Sequence, residues 1–265
     1  MAVGYYPFEN WEEVHRSRAR NKLHVVLQSL DNPRRVAHFK FGFELGVDPD
    51  FRGPLSANER IAYELAEMLD LPVMPVQFYR HLGLKGHLRW AVPYTSSNWS
   101  FVDVGMRRNI PRYFNDPEVL VRMFVSDVWI CNHDRHEGNV LYTVSPSGTK
   151  HDIFLIDHDL ALFGTERKWQ RFDYRHHLWF RAEPFLRIIE VSQLIKSYED
   201  LAPVIETVNR IPDETVDAIV DGVHDLEDGA YLSSREAWVI KKMLRLRKDR
   251  LESMFREWCR ENGKD

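Results

Sequence analysis

Cysteine is nearly absent from this sequence: Cys131 and Cys259 are the two in 265 residues, and no C-x-x-C pair occurs. That excludes a disulfide framework and a thiolate zinc site. No uninterrupted apolar run reaches the ~18 residues a membrane-spanning helix needs. The opening stretch, MAVGYYPFENWEEVHRSR, lacks the apolar core of a signal peptide, so a reduced cytoplasm is the expected location. Neither sign of charge dominates. Lys and Arg number 36 against 40 Asp and Glu, and the net charge of −4 gives no indication of nucleic acid as a partner. Internal repeats and low-complexity tracts are missing too. Core-forming material is present: 44% of residues are apolar and 12% aromatic, which excludes disorder across the whole chain. The length allows one large domain or two lobes.

Residues 22–30 (KLHVVLQSL) and 35–43 (RVAHFKFGF) flank Asp31-Asn32-Pro33 and predict a β-hairpin. The two-residue period of a strand puts Val36, His38 and Lys40 on one face and Ala37, Phe39 and Phe41 on the other. Residues 46–55 read as loop. Ser56 then opens a helix with Ile61, Leu65, Met68 and Leu69 at helical spacing, and Pro72 closes it. Strands are expected over 73–79 and 87–92, about the turn GLKG at 83–86. Past Pro93 the polar TSSNWS connects to a buried helix over 117–130 (PEVLVRMFVSDVWI), followed by short strands at 140–144 and 153–156 around a turn at 145–148. From Val191 the pattern is mostly helical. The last helix, over 234–258, puts Ile240, Leu244, Leu251, Phe255 and Trp258 near one stripe and RLRKDR on its solvated side. The expected class is α+β and bilobal: a small antiparallel-sheet lobe with one main helix over 1–93, and a larger, mostly helical lobe over 94–265.

The stretch ICNHDRHEGNVLY at 130–142 lies between the buried helix and a short strand, with Asp134 and Asn139 five residues apart. Phosphoryl transfer to a hydroxyl needs a carboxylate that orients the acceptor and takes its proton. It also needs oxygen ligands for a magnesium ion that neutralises phosphate charge. A tight loop with this spacing supplies both, against the alternative of a merely structural, capped loop. Asp157 ends the strand FLI 18 residues after Asn139, so hairpin closure brings both oxygens to one end, a donor set suited to Mg²⁺. Asp159 is placed to act beside the first metal ligand or on a second ion. Upstream, Lys40 would hold the nucleotide phosphates, and Glu59, 19 residues later, would pair with it. Ser56-x-x-Glu59 is equally a capping box that needs no nucleotide.

These residues resemble the HipA-like kinases, and also the phosphoinositide kinases and the actin-fragmin kinase. The shared signature is Asp-Arg-His-x-x-Asn, here Asp134-Arg135-His136-Glu137-Gly138-Asn139, with Asn132 two residues ahead of it. Leu155-Ile156-Asp157-His158 is similar to the metal-binding strand of those families, although Asp159 stands where they carry glycine. Lys40, Asn58-Glu59 and LDLPVMP at 69–75 are similar to the small lobe of short HipA-like domains. The resemblance covers most of 35–165. It implies the protein-kinase-like fold, ATP and Mg²⁺ as cofactors, Asp134 as catalytic aspartate, and Asn139 and Asp157 as metal ligands. For His136 it leaves two roles open, contact with the γ-phosphate or support of the loop. One departure stands out. Between the two strands of the 22–43 hairpin, residues 29–35 (SLDNPRR) hold no glycine-rich phosphate loop. The basic residues Arg16, Arg18, Arg20 and Lys22 precede it, and their plain reading is a solvated run.

Residues 164–181 (GTERKWQRFDYRHHLWFR) fall where an acceptor segment would lie. Arg167, Lys168, Arg171 and Arg175 could face an acidic or phosphorylated group, or form a basic surface loop anchored by Trp169 and Trp179. Thr165 is a candidate for self-phosphorylation. The expected activity is transfer of the ATP γ-phosphate to a hydroxyl, foremost Ser or Thr of an unidentified acceptor protein. Two other readings stand beside it. One is a pseudokinase or interaction module without turnover. The other is a metal-dependent phosphohydrolase using His133, Asp134, Asp157, His158 and Asp159, whose all-helical fold the sheet-rich first 93 residues argue against.

Overall fold

The computed structural model describes residues 10–19, 22–41, 55–92, 95–144, 148–162, 180–224 and 232–264. Its first lobe is a five-stranded antiparallel sheet made of β1 (Trp11–Ala19), β2 (Lys22–Ser29), β3 (Val36–Phe41), β4 (Val76–His81) and β5 (Leu84–Trp90). The order across it is β1-β2-β3-β5-β4. β1 corrects the sequence reading, which opened the sheet at Lys22 and took the basic run before it as solvated chain. The strand is hard to read because it lies at an edge. Glu12, Val14 and His15 are exposed, a bulge interrupts the pairing between Glu13 and His15, and Arg16 forms an ion pair with Glu13 at 2.6 Å. β1 and β2 pair antiparallel from Trp11 opposite Ser29 to Ala19 opposite Lys22. The segment 29–35, which holds no glycine, joins β2 to β3 as a hairpin.

Alternation along the strands gives the sheet two distinct faces. Val25, Leu27, Ala37, Phe39 and Leu88 form a small core of their own, with Trp11, Tyr79 and Trp90 packed against it. The sheet curls over this core far enough for Glu13 on β1 to reach His81 on β4, the two edge strands, at 2.7 Å. The other face carries Lys40 opposite His87 and His38 opposite Arg89. Strand β4 begins later than the expected 73–79 because Val73 instead bridges Leu155 in the second sheet.

Helix α1 (Leu55–Glu67) buries Ala57, Ile61, Ala62, Leu65 and Ala66 in the large core of the second lobe rather than in the small core of the sheet. It stops one residue short of Met68, which is 38% exposed. Past it, Leu155 donates to the carbonyl of Pro72 at 2.9 Å, stitching the helix exit to the second sheet.

That second sheet is antiparallel, β6 (Ser96–Asn98), β7 (Val140–Val144) and β8 (His151–Leu155) in chain order. Two one-turn helices, α2 (Val104–Arg107) and α3 (Ile110–Tyr113), lead to α4 (Val119–Trp129). All of α4 but Arg122 is buried, as a helix apolar on every side must be. Around it lie α5 (Val191–Leu194), α6 (Ala202–Arg210), α7 (Asp213–His224), α8 (Ser234–Lys248) and α9 (Leu251–Glu261). The single C-terminal helix expected over 234–258 is two helices, broken at Asp249-Arg250. The apolar stripe runs unbroken through the break, and neither Pro nor Gly marks it. Packing decides: Phe255 and Trp258 meet Phe124 edge-to-face at 5.2 and 5.4 Å, while Leu244 and Arg247 serve the far end of α4. Among the described residues no helix is long and apolar enough to cross a membrane.

Candidate active site

The site begins with the way α4 ends. Its last carbonyls would be orphans in a buried helix end, and each finds a donor. Asn132 N–H bonds the Asp127 carbonyl at 2.8 Å and Cys131 N–H that of Val128 at 3.4 Å, the paired bonds of a Schellman turn. The Arg247 guanidinium reaches Val128 and Trp129 from α8, and Leu162 N–H takes Ile130 at 2.9 Å. The left-handed position of this turn, usually glycine, is Cys131 at φ 57°. The reversal sends Asn132, His133 and Asp134 back along the helix.

Arg135 then fixes the loop. It is 1% exposed, and all five of its N–H donors are used. Nε and Nη2 form a two-pronged pair with Asp127 at 2.8 and 3.0 Å, and Nη1 reaches the carbonyls of Asn139 and Ile156 at 3.0 and 3.1 Å. Nη2 also donates to His158 Nε2 at 2.8 Å. One side chain thus ties α4, the loop and the strand end after β8 together. Asn132 Nδ2 donates a further hydrogen bond to Asp127 Oδ1 at 2.8 Å. Arg107 holds the outer side of the loop, bonding Glu137 at 2.5 Å and Glu190 at 2.8 Å.

Held this way, Asp134 is half-buried, and among the described residues no group donates to its carboxylate. Its backbone carbonyl accepts from Asn139 Nδ2 at 3.1 Å, which orients that amide. Ile156 N–H bonds the Asn139 carbonyl at 3.1 Å, and Val140 pairs with Leu155, so Asn139 and Asp157 lie at the same end of the β7–β8 hairpin as expected. Asp157 takes a left-handed φ of 65°, a conformation that Asp tolerates better than most residues. His136 is exposed, and its Nδ1 accepts from Gly138 N–H at 3.0 Å, which puts the proton of the neutral ring on the outward Nε2. The ring lies over Gly138, where a Cβ would come within 2.8 Å of it.

Across the interface between sheet and helices, Lys40 bonds Asp157 and also Asp159, the latter at 3.3 Å. Burial works against its ammonium, yet the two carboxylates prevail and hold its pKa above the ordinary value. Burial also opposes the charge on Asp157, but Lys40 outweighs it and keeps this carboxyl well below the usual range. Asp159 goes the other way. Its burial, reinforced by the charges of Asp157 and Glu59, pushes it up to about 7 despite Lys40. The two acids thus divide their roles, one firmly ionised and one readily protonated.

Glu59 corrects the expectation of a Lys40–Glu59 ion pair, and of the capping box as well. Its carboxylate accepts from the backbone N–H of His158 and acts on Lys40 only through space. Ser56 lies inside α1, and its hydroxyl meets His87 Nδ1 at 3.0 Å. Asn58 Nδ2 bonds the Asp159 carbonyl at 3.0 Å, so two neighbouring residues of α1 grip the acidic turn 157–159. The reach of α1 into the second lobe's core explains the change of partner: the helix is fixed to the acidic turn before it is fixed to the sheet.

Type and spacing alone assign no role to Arg135 or Asp127. The available signal was an Asp inside the apolar run VLVRMFVSDVWI, where a charge must have a buried partner. Residues 163–179, with Thr165, Arg167, Lys168, Arg171, Arg175, Trp169 and Trp179, lie outside the described residues. Among the described residues no three His, Cys, Asp or Glu side chains form a group that could hold a metal ion. The phosphohydrolase reading therefore lacks its ligand cluster. Asn139, Asp157 and Asp159 offer instead an amide and two carboxylates, a partial set of the kind that phosphate and water complete around Mg²⁺.

No protein-family model matches the sequence, and no curated protein matches it. Solved structures do. A Helicobacter pylori proinflammatory kinase, CtkA, superposes with a TM-score of 0.59 at 14% identity, covering 94% of this chain and 95% of that one. The Golgi casein kinase with Mn and ADP bound gives 0.54 at 12% identity, over 94% and 74%. The chain is similar to both in fold: an antiparallel-sheet lobe and a helical lobe in the protein-kinase-like arrangement.

Proposed function

We propose that this chain is a kinase of the HipA-like kind that transfers the γ-phosphoryl group of magnesium-bound ATP to a hydroxyl, foremost Ser or Thr of an acceptor protein. The observation that carries the reading is the Asp134 carboxylate. It has no donor among the described residues, and its loop is locked by Arg135 to the turn bearing Asp157 and Asp159, which in turn meets Lys40. The names of the structural relatives, two kinases and one of them holding Mn and ADP, support the choice of reaction and of nucleotide. In this reading residues 1–93 form the nucleotide lobe and 94–265 the catalytic lobe, and the residues act in the cytoplasm.

The Mg²⁺ ligands would be Asn139, Asp157 and Asp159, and the ion would supply charge neutralisation on the phosphates. The acid pair fits that role. Two adjacent carboxylates facing one ammonium leave Asp159 drawn to a proton, and a divalent cation would ionise it fully. Asp134 accepts the proton of the acceptor hydroxyl as its oxygen bonds to the γ-phosphorus and the bond to the ADP oxygen breaks. Lys40 moves from the carboxylates to the phosphates as nucleotide enters. His136, with Nε2 outward, donates to a phosphate oxygen or steadies the loop over Gly138.

A nucleotide-binding module without turnover is the second reading, favoured by Asp159 at the glycine position and its share in Lys40. ATP turnover together with intact mass of the protein and of a Ser/Thr peptide mixture decides between them. Asp134→Asn should lower transfer by about 10²–10⁴-fold, the usual contribution of a positioned base, with nucleotide affinity kept. Full transfer by that variant would remove Asp134 from the chemistry.

A further inference from the structure

The face of the sheet that looks onto the acidic turn carries more positive charge than the carboxylates there use. Lys40 on β3 lies directly opposite His87 on β5, and His38 opposite Arg89, so all four share this face. Lys40 is committed to Asp157 and Asp159. Arg89 is half-buried, its Nε is enclosed without an acceptor, and among the described residues it has neither a hydrogen-bond nor an ion-pair partner. A guanidinium in that state is costly unless an anion completes it. Its charge is felt at Asp157 and at Lys40, so it lies within electrostatic reach of the acidic turn. Next to it His87 is fully buried, with Nδ1 on Ser56 and Nε2 unmatched. Burial holds its pKa down at about 4, so it adds a neutral polar edge rather than a competing charge.

We infer that Arg89 is an anion-binding residue of the sheet face opposite the acidic turn, taking the polyphosphate of the nucleotide from the β5 side. This rests on the kinase reading for the identity of the anion. Guanidinium presents paired donors that match phosphate oxygens, and the half-buried Arg89, with its Nε enclosed, has less freedom to lose on binding than an exposed side chain. The position gives the chain a phosphate contact on a rigid central strand, independent of the β1–β2 turn. It also assigns Lys40 and Arg89 different duties. Lys40 exchanges between carboxylates and phosphate, whereas Arg89 has no partner to leave among the described residues.

The test is calorimetric binding of Mg-ATP, inorganic tripolyphosphate and adenosine to the full chain and to Arg89→Gln and Arg89→Lys. Arg89→Gln should weaken tripolyphosphate and Mg-ATP by about tenfold or more, the range of one charge-assisted hydrogen bond, and leave adenosine unchanged. Arg89→Lys should recover most of the loss. Should Arg89→Gln fail to fold, arginine-specific dicarbonyl labelling of the wild-type protein gives the same answer: tripolyphosphate should protect Arg89. Tripolyphosphate binding equal in wild type and Arg89→Gln, adenosine weakened as much as tripolyphosphate, or labelling without protection would each overturn the inference. Wild type that binds Mg-ATP without regard to Arg89 removes this inference alone. Arg89-dependent binding of tripolyphosphate without any of Mg-ATP keeps the anion site and removes the kinase reading. Binding of neither removes both.

Discussion

At the scale of single residues, the site depends on charges that satisfy one another out of water. Asp127 and Arg135 are each 1% exposed, and removing one partner leaves the other buried and unpaired. Asp127→Ala should therefore cost about 3–5 kcal/mol, read by urea denaturation, whereas truncation of the exposed Glu252 should cost little. Asp159 gives a prediction with a sign. Its folded pKa, about 7, lies above the unfolded value of 3.8, so the folded state binds the extra proton between those two limits. Stability should fall as pH rises through that window and then level off. Asp159→Asn, which cannot ionise, should melt higher than wild type at pH 8, with the gap closing towards pH 4. A gap of the opposite sign would show that Asp159 is stabilised as an anion. The nearness of Asn139 and Asp157 could be read from the sequence, because closure of the β7–β8 hairpin brings both to one end. The partner of Glu59 could not: it meets the backbone N–H of His158 and, at 3.9 Å, the ring of that residue, and no spacing pairs positions 59 and 158.

At the scale of elements, sequence was informative wherever period and flanking turns agreed. β2, β3, α1, α4 and the β7–β8 hairpin were expected near their observed bounds. β1 escapes the sequence reading because an edge strand with one half-buried aromatic, Trp11, among mostly charged and polar residues carries almost no apolar period. The α8–α9 break was missed because it answers to Phe124 and Trp129, over a hundred positions earlier in the chain. Gly86 tests how tightly β3 and β5 are joined. A Cβ there would lie 2.2 Å from the Lys40 carbonyl and 2.7 Å from the Phe39 ring, so the strand bearing Lys40 would have to move. Gly86→Ala should destabilise by about 1–3 kcal/mol, the ordinary cost of overpacking, and weaken nucleotide binding as well. Stability at wild-type level would mean that the two strands have room to slide.

At the scale of the molecule, the two lobes are unequally joined. The sheet keeps a small core of its own, while α1 belongs to the core of the helical lobe and grips the acidic turn through Asn58 and Glu59. In the described contacts between the sheet and that turn, Lys40 is the side chain that crosses. A ligand bridging Lys40, Asn139 and Asp157 would therefore tie the lobes together and stabilise the folded chain by linkage. Ligand at a hundred times its dissociation constant adds about 2.7 kcal/mol. For a chain of this size that is a rise in melting temperature of roughly 5–10 °C. Thermal melts with and without millimolar Mg-ATP measure this directly. The account predicts that rise for wild type, and a smaller one when EDTA removes the magnesium. An unchanged melting temperature would contradict it.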